Sequence, residues 1–468
     1  MKPTSSNFLY LISIAVLERC SFYGVRGVLI LYLTKAFMQS PAEAFEITGL
    51  MFALSMFIAL LIGALNDRLQ HLGQMIVAGL FCTLSGTVLL MITRPESLLL
   101  AIALISLGSA AIKATLPTLL ANVQGKSRSE LYTYLYVANN VGALLGTGLC
   151  GIIGEVFGWN WGFALSGVML FIGAILILRI ESNRVDHFFR NLWKILTLLV
   201  PLLALVWILL VYREFAIGVI LLSFVIALSV GARIQAKNKA WKDFGYLLLL
   251  LGLLLLFTIV YEQGGLSLVL FTDKLVDRSL SPGLSQLFGI SQIPVTLFSN
   301  VDATANIIIG LLLASFYKWR NAPEKRSTYL SKFILGFGFA LLNFVILTRM
   351  LQGDSLVPAG LVVLYYVLFV CGEQLAYPVV MTASIALSPE KHRSFFLSLV
   401  MTASAVGIIL AAEVSTWMYP APGTPITASL LLYQGHAQHA AYIISGIIVF
   451  LLVGRFIALR TSSSSEGF

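Results

Sequence analysis

Apolar residues fall in fourteen long runs, near 7–37, 45–66, 73–93, 97–121, 131–155, 158–180, 189–212, 214–235, 243–271, 287–317, 328–349, 357–387, 394–419 and 439–461, and polar residues collect in the short gaps between them. A hydrocarbon core about 30 Å thick needs roughly 20 residues of helix. Each run therefore predicts one transmembrane helix, and the chain reads as an all-α membrane protein. An even number of crossings puts both ends of the chain on one side. Taking alternate gaps, 20 lysines and arginines fall on one side and 5 on the other. That asymmetry predicts cytoplasmic termini in a multi-pass protein of the cell (inner) membrane. It also supports the count, since a missed or invented span would scramble the alternation.

Composition agrees with the pattern. Of 468 residues, 59% are hydrophobic and 11% charged, against about 25% charged in an ordinary soluble domain. The net charge of +9 does not point to nucleic acid, because the basic residues sit at the ends of the apolar runs. Cys20, Cys82, Cys150 and Cys371 all lie in apolar runs, with neither a disulfide framework nor a metal-ligand spacing. The sequence has no nucleophile motif and no phosphate-binding glycine loop followed by Lys-Ser or Lys-Thr. No enzyme activity, cofactor or metal is expected.

Six runs precede the basic linker Arg179 to Lys194, and six follow the basic stretch Arg233 to Lys242. The pair between them carries no buried charge pattern. The organisation expected is an N-terminal six-helix bundle over 1–182, an inserted transmembrane hairpin over 183–240 and a C-terminal six-helix bundle over 241–468. A 6 + 2 + 6 layout with two equivalent halves suggests a transporter of the major facilitator fold, with its substrate site near the midplane between the halves. The loop Gly63-Ala64-Leu65-Asn66-Asp67-Arg68 resembles the signature loop of that superfamily.

The charges at membrane depth carry the functional signal. Glu18, Arg19 and Arg26 lie within the first run, where each would cost about 2.5 to 3.5 kcal/mol at the bilayer centre. Arg19, Tyr23 and Arg26 stand at i, i+4 and i+7 and form one stripe, with Glu18 about 100° to one side. The N-terminal half also buries Lys113, four residues before Pro117. The C-terminal half buries Glu262, beside the pair Gly264-Gly265, and Glu373, close to Pro378. One half is thus cationic and the other anionic at depth, which suits a zwitterion with its carboxylate toward Arg19, Arg26 and Lys113 and its amine toward Glu373. Arginine holds a carboxylate through paired N–H donors, whereas lysine acts as a point charge. The depths predict that Arg26 with Glu262 closes the outer side and Lys113 with Glu373 the inner side, in alternation. A glutamate protonated in one state and ion-paired in the other can link proton uptake to the gate, and Glu18, Glu262 and Glu373 are the candidates. Asp302 and Glu413 fall nearer the ends of their runs and read as snorkelling residues.

These residues resemble the proton-dependent oligopeptide transporter family. The first run, Ala15-Val16-Leu17-Glu18-Arg19-Cys20-Ser21-Phe22-Tyr23-Gly24 with Arg26 after it, is similar to that family's motif of two glutamates three apart, an arginine, an aromatic run and a glycine. Further matches are Gly108 to Lys113, Tyr136-Val137-Ala138-Asn139-Asn140-Val141-Gly142, Gly158-Trp159-Asn160-Trp161-Gly162-Phe163, Tyr261-Glu262-Gln263-Gly264, Asn306 and Gly372-Glu373-Gln374-Leu375-Ala376-Tyr377-Pro378. The inserted hairpin is similar to the prokaryotic members.

The resemblance implies proton-driven import of di- and tripeptides by a protein working as a monomer in a lipid bilayer. Its implied peptide site comprises Arg19, Arg26 and Lys113 near the carboxylate, Asn140 and Asn306 near the backbone, Glu373 near the amine, and Tyr23 in the wall. The chain departs from the pattern at Ala15, where the motif begins with glutamate, and at Cys20, which replaces the first aromatic residue; its second run also lacks the tyrosine common in the pocket. The missing glutamate leaves open a facilitator or exporter of another zwitterionic or anionic metabolite, with altered or absent proton coupling.

Overall fold

The computed structural model describes residues 7–69, 71–121, 123, 128–181, 185–320, 328–352 and 355–463. Among them, 14 helical segments are long and apolar enough to cross a membrane, the number read from the hydropathic runs. In chain order they are α1 (Asn7–Lys35), α2 (Pro41–Leu69), α3 (Leu72–Met91), α4 (Pro95–Leu120), α5 (Arg128–Leu145) continued by α6 (Ile152–Phe157), and α7 (Trp159–Glu181). The hairpin follows as α8 (Val185–Val211) and α9 (Arg213–Lys237). The last six spans are α10 (Trp241–Tyr261) continued by α11 (Ser267–Leu275), α13 (Val295–Arg320), α14 (Tyr329–Met350), α15 (Ala359–Ala386), α16 (Arg393–Met418) and α17 (Ile426–Ser463). A seven-residue helix, α12 (Pro282–Phe288), stands by itself before α13, so the run drawn from 287 begins its span only at Val295. Gly289 closes α12 at a φ of 67°, a left-handed conformation that glycine adopts without a Cβ penalty. Helix α17 starts 13 residues before the run at 439–461, because polar residues such as Gln434 and His436 interrupt hydropathy without interrupting helix.

Two spans are locally irregular. At Gly146–Gly151 the fifth span passes through a π-helical turn, and at Glu262–Gly265 the ninth passes through a 3-10 turn. The second break falls at Gly264-Gly265, where low helix propensity coincides with backbone freedom. A carbonyl released by such a break needs another donor at membrane depth; Tyr366 Oη supplies it, donating to Gly264 O at 2.7 Å.

Buried residues form two large apolar clusters. One joins α1 to α4, α7 and the inner face of α8, and extends across to α16; the other joins α10, α14, α15 and α17. Leu192, Ile195, Leu199, Val206, Leu209 and Leu210 of α8 are buried, a three-and-four spacing that turns one face of the hairpin onto the first cluster. The hairpin is further tied by Arg213 Nη1 to Glu46 Oε2 at 2.9 Å, and by the buried Gln235, which donates to Leu387 O at 2.8 Å. It therefore touches both six-helix groups.

Close packing of α5 on α1 fixes the helix that bears the site. A Cβ on Gly146 would lie 2.2 Å from Cys20 O, and one on Gly142 2.5 Å from Arg19 Cβ. Small residues at such crossings let membrane helices approach backbone to backbone.

Several sequence readings lie outside the described residues. These are Lys2, Lys126, Arg184, Lys325 and Arg326 of the charge count, the 182/183 boundary, and the side chains of Ala64, Asp67 and Arg68 in the signature-like loop. Asn66 of that loop is buried and donates to Thr115 Oγ1 at 2.8 Å, joining α2 to α4.

Candidate functional site

Between the two six-helix groups lies a cavity of about 570 Å³, walled by α1, α2 and α5 on one side and by α10, the 3-10 turn, α13, α15 and α16 on the other. Its size falls within the range of small-molecule sites, about 300–1,000 Å³. Tyr23, Arg26, Asn140, Glu262, Asn306 and Glu373 all line it. Six of the nine site residues expected from sequence thus share one chamber, drawn from five different helical segments.

Glu18, Arg19 and Lys113 do not line it, and this corrects the expectation of one continuous stripe. Arg19 is 6% exposed and Glu18 1%. Arg19 Nε and Nη2 donate to the Glu18 carboxylate at 2.5 and 2.6 Å, and Ser109 Oγ lies 3.1 Å from both Arg19 Nη2 and Glu18 Oε1. Two opposite charges buried side by side satisfy each other at far less cost than facing separate partners, so the pair closes on α4 rather than on the chamber. Lys113 Nζ donates to Ser55 Oγ at 2.7 Å and stands 4.5 and 5.0 Å from the ring centroids of Phe22 and Phe52. Its charge is held by a hydroxyl and two aromatic faces, without the Glu373 partner read for it.

Arg26 and Glu262 are ion-paired across the chamber, their side chains 16% and 8% exposed. The Phe52 ring lies 4.0 Å below the guanidinium. Gly265 makes room for this, since a Cβ there would lie 2.9 Å from Arg26 Nη2. The glycine pair thus both breaks the helix and admits the arginine. Glu373, by contrast, has a buried Oε2 without a hydrogen-bond partner.

Polar side chains at mid-depth join the halves. Gln374 Nε2 donates to Asn306 Oδ1 at 2.6 Å and to Tyr136 Oη at 2.9 Å, linking α15, α13 and α5. Asn140 Nδ2 donates to Tyr136 O at 3.0 Å. Tyr136, Gln374 and Tyr261 are wall residues that stand within the quoted motifs but were given no place in the expected site. Asp302 is a second correction: it lines the chamber, and its Oδ1 accepts from Tyr261 Oη at 3.0 Å. Its position four residues before Asn306 on one helix was the signal available, since i and i+4 share a face.

At the end of the bundle opposite the termini the halves are tied again. Lys35 Nζ meets Asp273 Oδ1 at 2.8 Å, and Arg278 meets Asp273 at 2.9 Å and Glu155 at 3.8 Å. The Glu155 carboxylate, from α6, accepts from the backbone N–H groups of Val295 and Thr296 at 2.7 and 3.1 Å. It thereby caps α13 of the other half, where the helix dipole favours an anion. Among the described residues no group of three or more His, Cys, Asp or Glu side chains could hold a metal ion.

A family model described as Major Facilitator Superfamily matches residues 11–412. The chain belongs to the major facilitator superfamily. This facilitator is 24% identical to dipeptide and tripeptide permease B of Edwardsiella piscicida over 432 residues, covering 88% of this chain and 86% of that one. It is 23% identical to the protein of the same name from Salmonella typhimurium, over 92% and 90% of the two chains. Its fold matches the crystal structure of a peptide transporter POT in complex with sulfate, with a TM-score of 0.76 and 21% identity over 96% of this chain and 95% of that one. The similarity to the two permeases and to the solved transporter runs along nearly the whole length of the chain.

Proposed function

We propose that this facilitator is a proton-coupled symporter importing di- and tripeptides by alternating access. The observation that carries the reading is a chamber between the halves whose walls present a paired arginine, Arg26, and a buried carboxylate oxygen without a partner, on Glu373. A zwitterion complements that arrangement, since its carboxylate can share Arg26 while its amine meets Glu373. Asn140, Asn306 and Tyr23 offer amide and hydroxyl groups to the peptide backbone, which suits recognition that tolerates many side chains. Relatives named as dipeptide and tripeptide permeases add weight.

In this reading the ties at Lys35, Arg278 and Arg26 belong to a state closed on the outer side, with both termini in the cytoplasm of the inner membrane, as the basic-residue asymmetry indicates. Lys113 leaves Ser55 to pair with Glu373 when the inner side closes, and Arg19 serves the site by holding α1 through Glu18. Glu262 and Glu373 take up the proton, the proton gradient is the only energy source, and the protein works as a monomer without a cofactor. The halves 1–182 and 241–468 rock about the chamber while 183–240 rides against both.

Proteoliposomes with an imposed pH gradient should accumulate labelled dialanine, and Lys113→Ala or Glu373→Gln should stop accumulation. Failure to take up any dipeptide, with or without the gradient, sinks the proposal. A second reading, a facilitator or exporter with weak coupling, draws on Ala15: the position where the family motif has glutamate is a buried alanine. Equal uptake with and without the gradient would favour it.

A further inference from the structure

We propose that Asp302 gives the chamber a second cation site, so that the peptides it favours carry a basic side chain in addition to their terminal amine. This rests on the peptide-transport reading above and goes beyond it to substrate class. Four charged side chains line the chamber among the described residues: Arg26, Glu262, Asp302 and Glu373. Arg26 and Glu262 are paired, which leaves two carboxylates. The other buried cations lie off the chamber wall, Arg19 paired with Glu18 and Lys113 held by Ser55 and the Phe22 and Phe52 rings. Asp302 is met by the neutral hydroxyl of Tyr261, and Glu373 Oε2 by nothing. A hydroxyl satisfies a hydrogen-bonding site but leaves the charge uncompensated.

A zwitterionic dipeptide adds no net charge to this wall, and the one proton taken up for symport still leaves a carboxylate unmatched. Its amine answers one carboxylate, while its own carboxylate competes with Glu262 for Arg26 and adds a negative charge as it does so. A lysyl or arginyl residue supplies the missing cation. Geometry places the two acids for one ligand: Asp302 and Asn306 are one turn apart on α13, about 5–6 Å along the axis, and Asn306 is bonded to Gln374, the residue after Glu373. A peptide whose amine sits at Glu373 therefore has Asp302 about one turn further toward the end opposite the termini, within reach of a long basic side chain.

The test compares uptake of Ala-Ala, Ala-Lys and Ala-Glu in proteoliposomes under one inward proton gradient. Wild type should prefer Ala-Lys, then Ala-Ala, then Ala-Glu. Asp302→Asn should lower the Ala-Lys to Ala-Ala ratio about tenfold, the effect of losing one partly solvated charge contact of about 1.4 kcal/mol. Asp302→Glu, which keeps the charge, should retain most of the preference. Because a ratio within one preparation is read, a smaller folded fraction in either variant does not mimic the result. An unchanged ratio in Asp302→Asn overturns the inference. So does loss of gradient dependence for all three peptides at an unchanged ratio, which would make Asp302 a proton carrier instead. If wild type takes up Ala-Ala but does not discriminate, only this inference falls; if it takes up none of the three, the peptide reading falls and carries this one with it.

Discussion

Replacing Glu262 by glutamine removes the charge facing Arg26 while keeping shape. Both side chains are largely buried, at 16% and 8% exposure, and stripping a buried ion of its partner costs about 3–5 kcal/mol. Part of that is retained: the glutamine carbonyl can still accept from the guanidinium, a hydrogen bond to a charged group contributing about 1.5–3 kcal/mol, while the Phe52 ring at 4.0 Å is common to both forms. The closed outer side should therefore lose about 2 kcal/mol relative to a conformation in which Arg26 reaches water. That is roughly a thirtyfold change in the ratio of the two states. Spin labels at Met38, just past α1, and Leu287, in α12, are 82% and 73% exposed side chains on opposite halves. In a background free of the four cysteines, Glu262→Gln should add a longer component to the distance distribution between them. The swap Arg26→Glu with Glu262→Arg should restore the short one, as a coupled pair requires. An unchanged distribution in Glu262→Gln would show that the pair only packs the wall, and the gating argument would be refuted.

Other outcomes follow from the same reasoning. Glu18→Ala strands the buried Arg19 and should lower stability by about 3–5 kcal/mol, read as a fall in thermal unfolding temperature in detergent; Glu18→Gln, still able to accept from Arg19, should lose less. Gly146→Leu should be among the most damaging glycine changes, because a Cβ alone would approach Cys20 O to 2.2 Å; yield of monodisperse protein measures it. Tyr136→Phe deletes the hydroxyl that accepts from Gln374 across the halves, a loss of about 0.5–1.5 kcal/mol. It should shift the distance distribution in the same direction as Glu262→Gln but less, and a larger shift would contradict the ordering.

The number of spans, the 6 + 2 + 6 order and the helix that carries each charge were legible in the chain. Hydrocarbon imposes about 20 apolar residues per crossing and makes every buried charge conspicuous. The break at Gly264-Gly265 was legible too, since glycine weakens helix wherever it lies. Partner choice was not. Glu18 lies beside Arg19 in sequence, yet only the approach of α4, with Ser109 against both, seals the pair away from the chamber. Lys113 was read toward Glu373, but Ser55 and two phenyl rings lie nearer.

Asp302 shows the converse. Distance from the end of its run suggested water, whereas the inclination and rotation of α13 set its carboxylate on the chamber wall with Asn306. Sequence by itself determined which side chains are costly in lipid and on which helix each one rides. The rotation of each helix about its axis, fixed by packing against neighbours far along the chain, decided which of those costs are met by another residue and which are left for a ligand.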